Sequence, residues 1–178
     1  MCRGSYILQK NQISKEIKEM NNVGNLVIEG ARIIFRNFSG KENEFNRDGK
    51  RTFGVVIPDP EQAEMLERDG WSVKYLKPRN EDEPPVAWLK VRARFDRFPP
   101  KVVMVTQRNK TVMNADSVGS LDYADIKNAD ISISPYHYQS NGKEGITAYL
   151  KTLYVTIEED EFASKYAEEE APEEMPFN

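Results

Sequence analysis

One ten-residue stretch, residues 86–95, contains the residue types that bind an extended polyanion; it reads VAWLKVRARF. In a β-strand, successive side chains point to opposite faces of the sheet. One face would be apolar and face the core: Ala87, Leu89, Val91, Ala93 and Phe95. The other would set a tryptophan beside three cations: Val86, Trp88, Lys90, Arg92 and Arg94. Like charges repel one another along a sheet, so this row requires solvent, carboxylates on a neighbouring strand, or a bound polyanion.

An aromatic ring in a row of cations suits single-stranded nucleic acid, because bases stack on the ring while cations follow the phosphates. The competing interpretation is a surface strand with paired charges and a tryptophan at the edge of the core. Lysine or arginine accompanies aromatic residues elsewhere in the chain as well, and Tyr149 and Tyr154 flank Lys151. These pairs give a second set of candidate binding residues: Arg36, Arg51, Phe53, Lys74, Tyr75, Tyr136, Tyr138, Lys143 and Lys151.

Catalytic chemistry has little support in the sequence. The chain has one histidine, His137, and one cysteine, Cys2, which nearly excludes nucleophile–base pairs, a zinc cluster and a disulfide framework. No phosphate-binding glycine loop or metalloprotease motif is present. The acids at 81–83 lie in a proline-flanked loop typical of a solvated turn. We therefore expect neither enzymatic activity nor a cofactor or metal, and a carboxylate-based metal nuclease is kept only as a third alternative.

The C-terminal segment, residues 158–178, differs sharply in charge from the rest of the chain. It holds nine acidic residues and one lysine, a formal charge of −8, whereas the preceding 157 residues carry 24 basic and 20 acidic residues. Tethered beside a basic groove, such a tail would compete with nucleic acid at high effective concentration. We expect its tip to bind partner proteins through Glu173, Glu174, Met175, Pro176 and Phe177. A solubilising tail with an incidental phenylalanine is the alternative.

Hydrophobic periodicity predicts short strands at 25–38, 51–57, 71–77, 86–95, 101–106, 129–138 and 145–157. Gly30 would bend the first strand, and Asn141-Gly142 would form a tight hairpin turn. Residues 59–70 predict one helix, with Asp59 as N-cap, Pro60 at its first position and Gly70 at its end. Short helical turns are expected at 121–126 and 158–166. This pattern predicts a mainly β fold, an antiparallel barrel or sandwich with one short helix.

Three segments follow from this pattern: an extension at 1–20, a folded domain at 21–157 and the acidic tail at 158–178. We interpret Met20 as the native start, with a disordered arm as the alternative. No apolar run approaches the roughly 18 residues that span a bilayer, and no secretory signal is evident. We therefore expect an intracellular protein that does not contact membranes.

The tail resembles the acidic tip of bacterial single-stranded DNA-binding proteins, which end in acids, an apolar residue, proline and phenylalanine. Asn178 departs from that pattern, because phenylalanine is the last residue in the bacterial family. Residues 25–157 resemble a family of bacteriophage single-stranded DNA-binding proteins, in the segments FRNFSGKENEFNRDGKRTFGVVI, DGWSVKYLKPR, VAWLKVRARF and ISISPYHYQSNGKEGITAYLKTLYVTI. The resemblance implies an OB-fold with extra strands or hairpins, whose open face holds the DNA.

Together these observations predict a phage-encoded protein that coats single-stranded DNA during replication, recombination or repair. It would act in the host cytoplasm and recruit replication or recombination proteins through its tail. RNA binding and homodimerisation stay open. The alternative from another class is a protein-interaction module or DNA-mimicking inhibitor without DNA affinity.

Overall fold

A computed structural model describes residues 23–159 and residue 162 of the 178-residue chain. In this part of the chain, β-strands dominate: β1 (Leu26–Ile28), β2 (Ile33–Asn37), β3 (Arg51–Ile57), β4 (Val73–Leu76), β5 (Val86–Ala93), β6 (Lys101–Val105), β7 (Lys110–Met113), β8 (Ile126–Ser140) and β9 (Lys143–Ile157). One α-helix, α1 (Pro60–Arg68), and one 3₁₀ helix (Val118–Asp122) join them. None of the helices in the described ranges is long and apolar enough to cross a membrane.

The strands form one mixed sheet with the order β1-β8-β9-β5-β3-β2, and it does not close on itself. Strand β5 is central, because it pairs with β3 along one edge and with both β4 and β9 along the other. The pairings of β9 with β5 and β6 are parallel, and the other pairings are antiparallel. The predicted mainly β class is therefore confirmed, while the sheet is less uniformly antiparallel than expected.

The predicted alternation in β5 is confirmed by its burial. Ala87, Leu89, Val91 and Ala93 are buried, and Phe95 packs against the core just beyond the strand. Trp88, Lys90 and Arg92 are partly exposed on the other face. Because β3 and β9 flank β5, this polar face lies within a wider sheet surface.

Helix α1 forms where the sequence predicts it. The side chain of Asp59 accepts a hydrogen bond from the Glu61 backbone N–H at 3.0 Å, and Pro60 stands at the first helical position. Gly70 adopts φ 98°, which ends the helix. The helix buries Ala63 and Leu66 against the sheet.

Several element boundaries differ from the prediction. Gly30, at φ 61°, divides the predicted strand 25–38 into β1 and β2. Strand β7 was not predicted, and the 3₁₀ helix lies slightly before the predicted turn at 121–126. The β8–β9 hairpin turns at Asn141-Gly142 as expected, but each of its strands has fifteen residues. Glu158 and Glu159 are not helical, and the rest of the helix predicted at 158–166 falls outside the described residues, apart from Phe162.

Candidate nucleic-acid interface

The polar face of β5 carries two neighbouring cations, Lys90 and Arg92. Lys90 and Arg92 are both partly buried, and neither forms an ion pair within residues 23–159. The ion pairs there are Lys50 with Asp48, at 2.9 Å, and Arg94 with Asp96, at 3.0 Å. Within residues 23–159, no carboxylate therefore lies within ion-pair distance of Lys90 or Arg92. The pKa of the Asp48 carboxyl is lowered mainly by Lys50, and the charge of Arg92 contributes to that lowering.

The environment of Lys90 is electropositive. Burial lowers the pKa of its ammonium group, and the nearby charges of Lys74, Arg92 and Lys50 lower it further. Each of these three neighbouring charges is positive, so burial and repulsion together disfavour the protonated form of Lys90. A polyanion bound across this row would offset the repulsion.

Three neighbouring hollows follow this row, with volumes of about 570, 750 and 480 Å³. The first and second share Arg92, the second and third share Arg94, and Tyr149 lines all three. We call this continuous surface the basic groove. Its basic and aromatic lining residues are Lys50, Arg51, Lys74, Lys90, Arg92, Arg94, Phe95, Arg97, Phe98, Tyr136, Tyr138, Tyr149 and Lys151.

Aromatic rings lie among these cations. Tyr149 stands opposite Arg92 in the parallel β5–β9 pairing, and the Arg94 guanidinium lies 6.0 Å from its ring centroid. Tyr136 meets Tyr149 edge to face, with ring centroids 5.7 Å apart. Bases of a single strand can stack on such rings without regard to sequence.

Trp88 is held at the β4 side of the groove. Lys74 is its partner in the β4–β5 register, and the Lys74 Nζ lies 5.5 Å from the tryptophan ring centroid. A second ring, Phe35, lies 5.1 Å away and is tilted by 59°. Gly54 of β3 leaves the space that the ring occupies, since a Cβ there would lie 2.9 Å from Trp88 Cε3.

Most of the predicted binding residues lie together. Those on the groove are Arg51, Lys74, Lys90, Arg92, Arg94, Tyr136, Tyr138 and Lys151. Trp88 adjoins it through Lys74. Lys143 is exposed at the hairpin tip, where it pairs with Ser140, a residue of the first hollow.

Three candidates have other positions. Phe53 is 1% exposed and stacks on Phe38 in the core, with ring centroids 4.7 Å apart, so neither face of its ring is open to a base. Arg36 donates from Nη1 to the backbone carbonyls of Leu121 and Ala124, at 2.9 and 2.6 Å, and thereby holds the end of the 3₁₀ helix.

Tyr75 is the third such residue. It pairs with Ala87 and so lies on the face of the sheet opposite Trp88, beside Glu67 of α1, where it is 46% exposed. Burial, followed by the carboxylate of Glu67, raises the pKa of the Tyr75 phenol. Because this neighbour is acidic, the position is unsuited to phosphate. The predicted tail residues 173–177 lie outside the described residues.

Five basic or aromatic groove residues were absent from the predicted set: Lys50, Phe95, Arg97, Phe98 and Tyr149. Tyr149 lies between the buried Ala148 and Leu150, and the alternation of 145–157 could have placed it on the open face. Lys50 and Phe98 belong to loops, where no period indicates direction.

Comparison with known proteins agrees with this architecture. The model of a family described as a phage ssDNA-binding domain matches residues 15–175. A C-terminally truncated single-stranded DNA-binding protein from bacteriophage Enc34 shares 12% identity at a TM-score of 0.50, covering 77% of this chain and 88% of that one. The same phage's protein in complex with ssDNA shares 13% identity, with the same TM-score and coverage. No curated protein sequence matches significantly.

The structural similarity extends over most of the domain and supports the predicted OB-fold-like architecture. The family match spans the described residues and continues into both flanking segments. The chain belongs to the phage single-stranded DNA-binding domain family.

Proposed function

We propose that this protein binds single-stranded DNA along the basic groove, with little sequence preference. The observation that supports this most directly is the pair Lys90 and Arg92, which share one sheet face and form no ion pair within residues 23–159. Family membership and the architecture shared with single-stranded DNA-binding proteins point to the same ligand.

Binding would join two kinds of contact. Cations on β4 and β5 neutralise successive phosphates, while Tyr149 and Tyr136 offer ring surfaces for bases. Neither contact reads base edges, so the protein would coat any exposed strand and keep it unpaired during phage replication, recombination or repair. Phosphate neutralisation makes the affinity fall with salt, by a log–log slope of about 0.7 for each contact on single strands.

The acidic tail is the proposed regulator of this groove. Its charge of −8 opposes the excess of cations in the preceding chain, so tail and DNA would compete for one surface. DNA binding would then free residues 173–177 to recruit replication or recombination proteins. Because the competition is intramolecular, it weakens all binding at the groove by one common factor, so weakly bound ligands are the first to be lost at a given concentration.

The test is fluorescence anisotropy of a labelled oligo-dT of about 30 nucleotides, at low and high salt. Full-length protein is compared with a chain ending at Ile157. Salt-sensitive binding that tightens on truncation is expected. Absence of binding by both forms would favour the protein-interaction module. Loss of oligonucleotide integrity in Mg²⁺ or Mn²⁺ would instead support the nuclease alternative.

A further inference from the structure

Phe35 occupies an unusual position on edge strand β2. Its φ is 50°, in the left-handed region that bulky side chains avoid, and its side chain is 59% exposed. The β2–β3 register shifts between Ile34 and Asn37, so Phe35 lies in a bulge. Strained backbone of this kind is concentrated at ligand sites, where the surrounding structure holds it in place.

The bulge places the ring of Phe35 against Trp88. The two centroids are 5.1 Å apart, and the rings are tilted by 59°. The indole of Trp88 packs directly against Gly54, where a Cβ would lie 2.9 Å from Trp88 Cε3. The Nζ of Lys74 lies over the same indole.

These contacts divide the roles of the two rings. Trp88 is partly buried, with Gly54, Lys74 and Phe35 around it, so little of its own surface remains for a base. Phe35 is the outer ring of the pair and has the larger open surface. Lys74 connects the pair to the basic groove, since it lines the first hollow and has no ion pair within residues 23–159.

We propose that Phe35 is a base-stacking residue at the β2–β4 end of the basic groove, with Trp88 as its support. The ligand is an unpaired nucleobase whose adjacent phosphate reaches Lys74. This assignment rests on the proposed function, and it moves the primary stacking role from Trp88 to a residue outside the sequence-predicted set. A purely structural Phe35 would serve only to cover Trp88, and the substitutions below separate these roles.

The test measures oligo-dT binding by Phe35→Leu, Phe35→Asn and Phe35→Tyr in the full-length protein. Leucine still covers Trp88 but has no π face, and asparagine tolerates positive φ. Both should weaken binding by roughly 5- to 150-fold, the range for one lost base stack, while tyrosine binds like the wild type. Tyr123→Asn is the matched control, since Tyr123 is 84% exposed and lines none of the three hollows.

A second ligand identifies the contact as stacking. On an abasic strand of equal length, Phe35→Leu and wild type should bind equally, and the salt slope should be the same for both on oligo-dT. Wild-type binding by Phe35→Leu on oligo-dT would overturn the proposal, as would an equal loss on the abasic strand. If asparagine unfolds the protein, the folded leucine and tyrosine variants still decide. Failure of the wild type to bind oligo-dT would refute the proposed function itself.

Discussion

Lys90→Gln gives the most direct test of the cation row. Lys90 lies between Trp88 and Arg92 on the open face of β5. The neighbouring charges that lower its pKa, those of Lys74, Arg92 and Lys50, are all positive. If it contacts one phosphate, its removal lowers the log–log salt slope by about 0.7. Relative to 1 M salt, that slope corresponds to about fivefold weaker binding at 0.1 M and about 1.6-fold at 0.5 M.

The folding stability of Lys90→Gln should rise or stay unchanged, although its DNA binding weakens. The lowered pKa of Lys90 shows that burial and the like charges nearby disfavour its protonated form. Glutamine removes that repulsion, so the thermal midpoint of Lys90→Gln should equal or exceed that of the wild type. Weaker binding therefore cannot be attributed to unfolding.

The assay is oligo-dT anisotropy at four or more salt concentrations, with thermal unfolding measured in parallel. Lys110→Gln is the matched control, because Lys110 is exposed on β7 and lines none of the groove hollows. Arg94→Gln should have a smaller effect, since Asp96 already pairs with that guanidinium. A wild-type slope for Lys90→Gln, or an equal loss in Lys110→Gln, would refute the reasoning.

The remaining predictions concern the core, the support of the aromatic pair, and pH. Phe53→Ala removes a ring stacked on Phe38 and should cost about 3–5 kcal/mol, seen as a fall of about 6–20 °C in thermal midpoint; a stable variant with weakened DNA binding would contradict its core position. Gly54→Ala should displace the indole of Trp88, because the new Cβ would lie 2.9 Å from it; unchanged tryptophan emission and DNA affinity would argue against this. Since the folded pKa of Lys90 lies below its unfolded value, stability should rise as pH increases through that interval, because the unfolded chain binds more protons there. DNA binding should weaken over the same interval, whereas Lys90→Arg, which stays charged there, should keep its affinity. Equal losses of affinity for the wild type and Lys90→Arg in a pH titration would contradict this.

The sequence by itself determined the local features that depend on short-range physics. Alternation in residues 86–95 placed Trp88, Lys90 and Arg92 on one face, because a strand has a period of two whatever its neighbours are. Asp59, Pro60 and Gly70 marked the helix, since capping uses residues within one turn. The phage family was also recognisable from quoted segments, and the family match confirms it.

Only the tertiary structure decided which rings and cations share one surface. Alternation in β9 could place Tyr149 on the open face, but strand pairing alone sets its ring beside Arg92. Packing of the sheet likewise buries Phe53 against Phe38. The position of the Phe35 ring depends on two further features of the sheet: a bulge in β2, and Gly54 on β3, which leaves room for Trp88. Such contacts join residues far apart in sequence, and no local period encodes them.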